Sequence, residues 1–218
     1  MKSRRGCCKV FFKIMKRELV VATKNKKKLC EIKELLAGLN LKVTSIADYK
    51  NPPRVIENGK TFKENAVKKA RKLAHFSGKL TMGEDSGLCV KALGNAPGVY
   101  SSRFAGKGKS DLQNNLKLLR ELENIPLAER KAYYVCAIAL ADKNKLLGVV
   151  EGKCDGLIGF EMKGKAGFGY DPLFIIPRYK KTFAQLGLKI KHKMSHRFRA
   201  LEKSRRMLEK YIEHCGGS

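Results

Sequence analysis

The order in which hydrophobic periodicity changes along this chain is its tightest constraint. Early on, short apolar runs alternate with segments whose apolar residues recur every three to four positions; later, two apolar runs stand almost back to back. Glu18–Thr23 reads as a strand. Lys26–Leu39 places Leu29, Ile32, Leu35, Leu36 and Leu39 at helical spacing, with Gly38 near its end. Leu41–Ile46 reads as a second strand and Asp48–Asn58 as a loop around Pro52-Pro53. Thr61–Ser77 is a helix: Thr61 and Glu64 form a capping box, Phe62, Ala66, Ala70, Leu73 and Ala74 make its apolar face, and Gly78 stops it. Leu80–Met82 is a short strand running into an acidic segment. A glycine-rich loop, Gly94–Gly108, precedes a helix over Ser110–Leu122. Lys131–Ala141 turns through Asp142–Lys145 into Leu146–Cys154, a hairpin. After a second glycine-rich loop, Gly164–Asp171, come a short strand, Pro172–Ile176, and an amphipathic helix, Ser195–Ile212. Early alternation and a later hairpin together give an α/β chain with a mixed sheet.

At 218 residues the chain can bury one sizeable core, in one lobe or two. No apolar run approaches the roughly 18 residues of a membrane span. Seven cysteines include no C-x-x-C pair and mostly lie in apolar runs, which fits buried thiols in a reducing, cytoplasmic compartment. Lys and Arg outnumber Asp and Glu by 47 to 20, a net +27. Such an excess attracts polyanions without choosing among nucleic acid, anionic membrane and phosphorylated small molecules. Lys68, Lys69 and Lys72 read most simply as a solvated helix face. Residues 1–17 carry seven basic residues and no acidic one, and lack a signal-peptide core. They read as a basic extension, or as a segment upstream of a true start at Met15. Residues 18–215 are then a single domain.

Five segments invite chemistry. Thr23-Lys24-Asn25-Lys26-Lys27-Lys28 joins a strand to a helix, where free N–H groups and a positive dipole end suit phosphate. A capped turn before a solvated lysine run explains it equally well. Glu57-Asn58-Gly59 offers a carboxylate before the Thr61 helix, or a plain surface turn. Gly83-Glu84-Asp85-Ser86-Gly87 puts two acids, poor strand formers, at a strand end. Mg²⁺ takes one or two carboxylates together with phosphates and water, so this is a candidate metal site. In Gly164–Pro172, Phe168 and Tyr170 stand between glycines, and their faces suit a purine base, or merely pack a turn. Lys191 and Ser195-His196-Arg197 bring cations to a helix start. Gly108-Lys109-Ser110 resembles a P-loop ending, but Arg103 stands where its first glycine belongs.

In this order, the five segments resemble the inosine triphosphatase family (Ham1-like purine nucleoside-triphosphate pyrophosphatases) from about Glu18 to Ile212. Glu84–Gly106, Gly167–Phe174 and Ser195–Leu201 are the most specific stretches. The resemblance implies an elongated mixed sheet with flanking helices forming two lobes around a central cleft, and a homodimer. It implies Mg²⁺-dependent hydrolysis of ITP, dITP and XTP to the monophosphate and pyrophosphate. By position, Thr23–Lys28 and Lys69 would hold phosphates, Glu57 and Asp85 the metal, and Asp85 would activate water. Ser86, Phe168, Gly169, Tyr170, Asp171, Lys191, His196 and Arg197 would contact the nucleotide. Many members have two adjacent aspartates at Glu84-Asp85 and a second acid at Ile56, which weakens a two-acid reading of the Glu57 turn. Neither a specific nucleic-acid partner nor a membrane is implied. A Maf-like pyrophosphatase of pyrimidine or modified nucleotides, and a basic RNA-binding module, are the competing readings.

Overall fold

The computed structural model describes residues 17–108 and 110–214. The chain runs β1 (Arg17–Val21), α1 (Lys26–Leu35), β2 (Leu41–Ser45), α2 (Phe62–Ser77), β3 (Leu80–Val90), α3 (Asp111–Glu121), β4 (Lys131–Ala141), β5 (Leu146–Ile158), β6 (Phe174–Ile176), β7 (Lys181–Thr182), α4 (Phe183–Met194) and α5 (His196–His214). One seven-stranded sheet has the order β2-β1-β3-β4-β5-β6-β7. β1 is parallel to β2 and β3, and every later pairing is antiparallel. The α/β class and the mixed sheet are therefore as the periodicity indicated.

Several elements differ from the sequence reading: α1 stops at Leu35, β5 runs on to Ile158, and a two-residue strand, β7, is added. β3 does not stop at Met82 but continues through the acidic segment to Val90. A short 3-10 helix, Gly98–Arg103, interrupts the first glycine-rich loop. α4 was not foreseen at all. Its Thr182–Gln185 capping box is a legible start signal, but Gly187, at φ +76, breaks the helical pattern that follows. Arg17, assigned to the basic extension, is the first residue of β1 and pairs with Leu41. Residues 1–16 and Cys215 lie outside the described residues. No helix among the described residues is long and apolar enough to cross a membrane.

Successive strand residues point to opposite faces, and here that alternation builds the cleft. On one face of β3, Met82 joins a cluster with Leu19, Ile32, Ile138, Leu140, Leu201 and Leu208, covered by α1 and α5. Leu88 and Val90, on the same face, join a second cluster with Leu118, Tyr134, Phe174 and Phe183. Glu84 and Ser86 occupy the stretch of that face between the two lobes. The opposite face packs Ala66, Ala70 and Ala74 of α2 on Val135, Ala137 and Ala139 of β4.

Two glycines let helices lie directly on the sheet. A Cβ at Gly83 would stand 2.1 Å from the Ala66 carbonyl oxygen, and one at Gly152 would stand 2.2 Å from that of His196. The first contact brings α2 against β3. The second brings the opening turn of α5 against β5.

Between the lobes a buried ion network fills the gap. Arg197 bonds Glu31, and its Nη2 reaches Glu84 Oε1 at 3.1 Å. Lys28 Nζ reaches Glu84 Oε2 at 2.9 Å. Lys191 Nζ bonds Glu31 at 3.1 Å and Asp171 at 2.7 Å. Burial pushes the Glu84 carboxyl up, but Lys28 and Arg197 outweigh it and hold the group well below 4.5. Glu31 is likewise lowered, because Arg197 and Lys191 outweigh its burial. Three acids and three bases from α1, β3, the loop before β6, α4 and α5 are thus tied together.

Two outcomes follow for stability. Gly83→Ala forces α2 off β3 and lowers stability by about 1–3 kcal/mol, read as a lower urea midpoint with an unchanged slope. Glu31→Gln takes one carboxylate from two buried cations, leaving Glu84 to Arg197 and Asp171 to Lys191, and costs on the order of 1–3 kcal/mol at pH 7. Because the folded pKa of Glu31 lies below 4.5, its stabilisation is complete above that value and is lost as pH falls through the folded pKa. The gap between wild type and Glu31→Gln therefore narrows below about pH 4.5 in urea titrations repeated across pH.

Candidate active site

Asp85 points away from Glu84, toward α2. Its Oδ1 takes a hydrogen bond from Lys69 Nζ at 3.1 Å, and its Oδ2 one from Asn65 Nδ2 at 3.1 Å. Lys69 Nζ also meets Glu57 Oε2 at 2.6 Å. Glu57 and Asp85 therefore converge on one cationic point. Lys69 is buried and not part of the solvated face, unlike Lys68 and Lys72, which are exposed. Burial lowers the Lys69 pKa, but Asp85 and Glu57 outweigh it and the net shift is upward. Burial raises Asp85, and Lys69 and Lys28 only partly offset it, so this carboxyl sits above 3.8. The two adjacent acids are thus separate in role: Glu84 holds the lobes together, and Asp85 faces a cavity with Glu57.

That cavity has a volume of about 510 Å³ and is lined by Thr23, Lys24, Asn25, Lys28, Glu57, Lys69, Asp85 and Ser86, among others. A narrower cavity of about 120 Å³ adjoins it, lined by Ser101, Asp111, Tyr134, Phe168, Gly169, Tyr170, Asp171, Lys191, His196 and Arg197. Asn25, Lys28, Ser86 and Ser102 line both. A wide polar chamber and a narrow aromatic one therefore meet over the middle of β3.

Most of the residues singled out in the sequence come together here, but not all in the form foreseen. The Asn25 side chain already accepts from the N–H groups of Lys27 and Lys28, so it caps α1 and uses two of the free donors there. Lys26 lines neither chamber, and Lys27 lines a separate hollow beyond Phe168. Lys28 does reach the site and bonds Ser86 Oγ at 3.1 Å. Phe168 is half-buried, with Lys191 Nζ 4.6 Å from its ring centroid. Tyr170 does not offer a face: it is buried in the second cluster, and its hydroxyl donates to the Ser101 carbonyl at 2.8 Å. Asp171 is spent internally, accepting from Lys191 and from the Phe168 N–H. His196 stacks on Tyr134 with centroids 4.6 Å apart. Burial, reinforced by Arg197 and Lys191, holds its pKa well below 6.5, so the ring is neutral near pH 7. His196 Nδ1 and Arg197 Nε are buried without a protein partner.

Glu31, Asn65, Tyr134, Ser101, Ser102 and Asp111 were not picked out from sequence. Asn65 and Lys69 had a signal: they lie four residues apart beside an apolar helical stripe, where unpartnered polar side chains are rare. Glu31 had none, since its partners are more than 150 residues away.

The geometry has relatives. The sequence profile of the Ham1 family matches residues 19–207. A dITP/XTP pyrophosphatase of Desulforamulus reducens is 48% identical over 197 residues, covering 90% of this chain and 98% of that protein. One from Shouchella clausii is 46% identical over 192 residues, covering 88% and 96%. The solved structure of a HAM1 protein from Coxiella burnetii superposes with a TM-score of 0.81 at 39% identity, over 89% of this chain and 99% of that one. The Staphylococcus aureus Ham1 protein does so at 0.80 and 37%, over 89% and 100%. A shared sheet, a profile spanning both lobes and close sequence identity all agree, and this chain belongs to the Ham1 family.

Proposed function

We propose that this chain hydrolyses non-standard purine nucleoside triphosphates, ITP, dITP and XTP, to the monophosphate and pyrophosphate. The observation that carries this is the junction of two chambers, one holding convergent carboxylates and lysines, the other an aromatic ring and unpartnered polar atoms. A nucleoside triphosphate has the matching division into polyanion and base. The names of the close relatives, dITP/XTP pyrophosphatases, point to the same substrates. Membership of the Ham1 family favours this reading over the Maf-like and RNA-binding ones.

In this reading the triphosphate lies along Thr23, Lys24, Lys28 and Lys69. Asp85 accepts a proton from water as the water oxygen bonds to the α-phosphorus. The bond from that phosphorus to the oxygen bridging to the β-phosphate breaks, and pyrophosphate leaves. A buried carboxylate with a raised pKa is a stronger base than a solvated one.

Glu57 and Asp85 suit Mg²⁺. Their oxygens meet at one cation, and with Lys69 they sum to one net negative charge. No group of three or more His, Cys, Asp or Glu among the described residues is arranged to cage a metal. Two carboxylates completed by phosphates and water is the usual magnesium arrangement. When bound, the ion would offset charge on the triphosphate.

Selectivity follows from the narrow chamber. Phe168 offers a stacking face to purines in general. Arg197 lines this chamber, and its buried Nε–H has no protein partner, so it is the donor proposed for a 6-oxo group. Adenine, with an amino group there, would leave such a donor unpaired, which costs more than a lost apolar contact. A homodimer in the cytoplasm completes the proposal. The absence of a C-x-x-C pair and of any membrane-spanning helix among the described residues fits that setting.

Pyrophosphate release across a nucleotide panel tests this. ITP, dITP and XTP should exceed ATP and dTTP in kcat/KM, and Asp85→Asn should lose about 10²–10⁴-fold in kcat on the preferred substrate. Full activity in Asp85→Asn, or a preference for dTTP, would overturn the assignment. Magnesium chelation should abolish release, and added Mg²⁺ should restore it.

A further inference from the structure

Resting on that reading of the site, we infer that Asp111 and Asn115 of α3 position the base platform and so set affinity and selectivity for the nucleobase. Phe168 belongs to a loop fixed at two points. At one, Asp171 accepts from the Phe168 N–H at 2.9 Å and is itself tied to Lys191. The other is Gly169, whose two backbone groups are both taken by α3. Its N–H donates to Asp111 Oδ2 at 2.8 Å, and its carbonyl accepts from Asn115 Nδ2 at 2.9 Å. Asn115 Nδ2 also donates to the Asp111 carbonyl at 2.8 Å, so the two gripping residues, one helical turn apart, are themselves joined.

Gly169 has φ +62, a left-handed conformation that favours glycine, and the two hydrogen bonds from α3 hold its backbone groups in place beside the buried Tyr170. α3 is in turn held by Leu118 and Leu122, both buried in the second cluster. The same helix fastens the opposite wall of the narrow chamber. Asn114 Oδ1 accepts from the Ala105 N–H at 2.8 Å, and Lys117 Nζ donates to the Phe104 carbonyl at 3.0 Å, just beyond Ser101 and Ser102. One helix thus sets the spacing between the two walls. Stacking and directional hydrogen bonds both depend on that spacing, so loosening the grip should weaken base binding more than the reaction at phosphorus.

The test compares Asp111→Ala, Asn115→Ala and Asp111→Asn with wild type, using ITP and ATP and recording kcat, KM and thermal midpoint. Asp111 lines the chamber, within reach of a ligand there, but Asn115 is buried and does not line it. A shared effect therefore marks action through Gly169. Both alanine variants should raise KM for ITP about tenfold, the loss of one charge-assisted or buried hydrogen bond, with kcat changed far less. The preference for ITP over ATP should fall. Asp111→Asn keeps an acceptor for Gly169 and should restore KM. Because Asp111 is exposed, its alanine variant keeps the test decisive if Asn115→Ala does not fold. Unchanged KM and selectivity in an active, folded Asp111→Ala would overturn the inference alone. So would a loss of kcat at constant KM. A wild-type chain that releases no pyrophosphate from any purine triphosphate would overturn the functional reading and this inference with it.

Discussion

A carboxylate buried in the middle of a strand needs partners, and Glu84 finds them in Lys28 and Arg197. Without them, the stretch of β3 between the two hydrophobic clusters would be an uncompensated charge in a low-dielectric interior, costing several kcal/mol. With them, the gap becomes the point at which α1, β3 and α5 are fastened. Arg197 then reaches Glu31, Glu31 reaches Lys191, and Lys191 reaches Asp171, which fixes the Phe168 loop. The floor of the narrow chamber is thus the same object that joins the lobes. The network need not add net stability over an apolar filling; its evident product is a fixed orientation of groups.

The pleat of β3 divides labour between neighbouring residues. Glu84 and Ser86 face the lobes' junction, while Gly83, Asp85 and Gly87 face α2 and the segment around Ser101. Gly83 admits the α2 backbone, and that approach sets where Lys69 and Asn65 stand relative to Asp85. A close helix–strand contact and the placement of the Asp85 carboxylate therefore come from one constraint. Had the two acids shared a face, they would have repelled each other and competed for the same cations.

The sequence displayed most elements because their periodicities are strong: the Thr61–Ser77 helix and the β4–β5 hairpin stand where spacing and turn residues put them. It hid the length of β3, because Glu, Asp, Ser and Gly are weak strand formers, and cross-strand pairing with Val135, Cys136, Ala137 and Ile138 holds them extended. It hid α4 behind Gly187. Among site residues, those in the motif segments were legible by type, but their direction was not. Tyr170 looked like an exposed platform and is core; Lys69 looked solvated and is a buried link between two acids. Glu31 was invisible, since a buried acid in a lysine-rich helix declares itself only once its distant partners are in place.

The network that joins the lobes has one more property: Glu31, Glu84 and Asp171 balance Lys28, Lys191 and Arg197. The excess of 27 positive charges is carried by the rest of the chain. Arrival and residence are therefore governed by different parts of the molecule. An anionic nucleotide is drawn in by an outer field that physiological salt screens beyond about 8 Å. The narrow chamber proposed for its base is walled by buried groups that salt reaches poorly. Raising ionic strength should slow the approach and weaken the phosphate contact at exposed Lys24, while the buried groups at the base end are screened least.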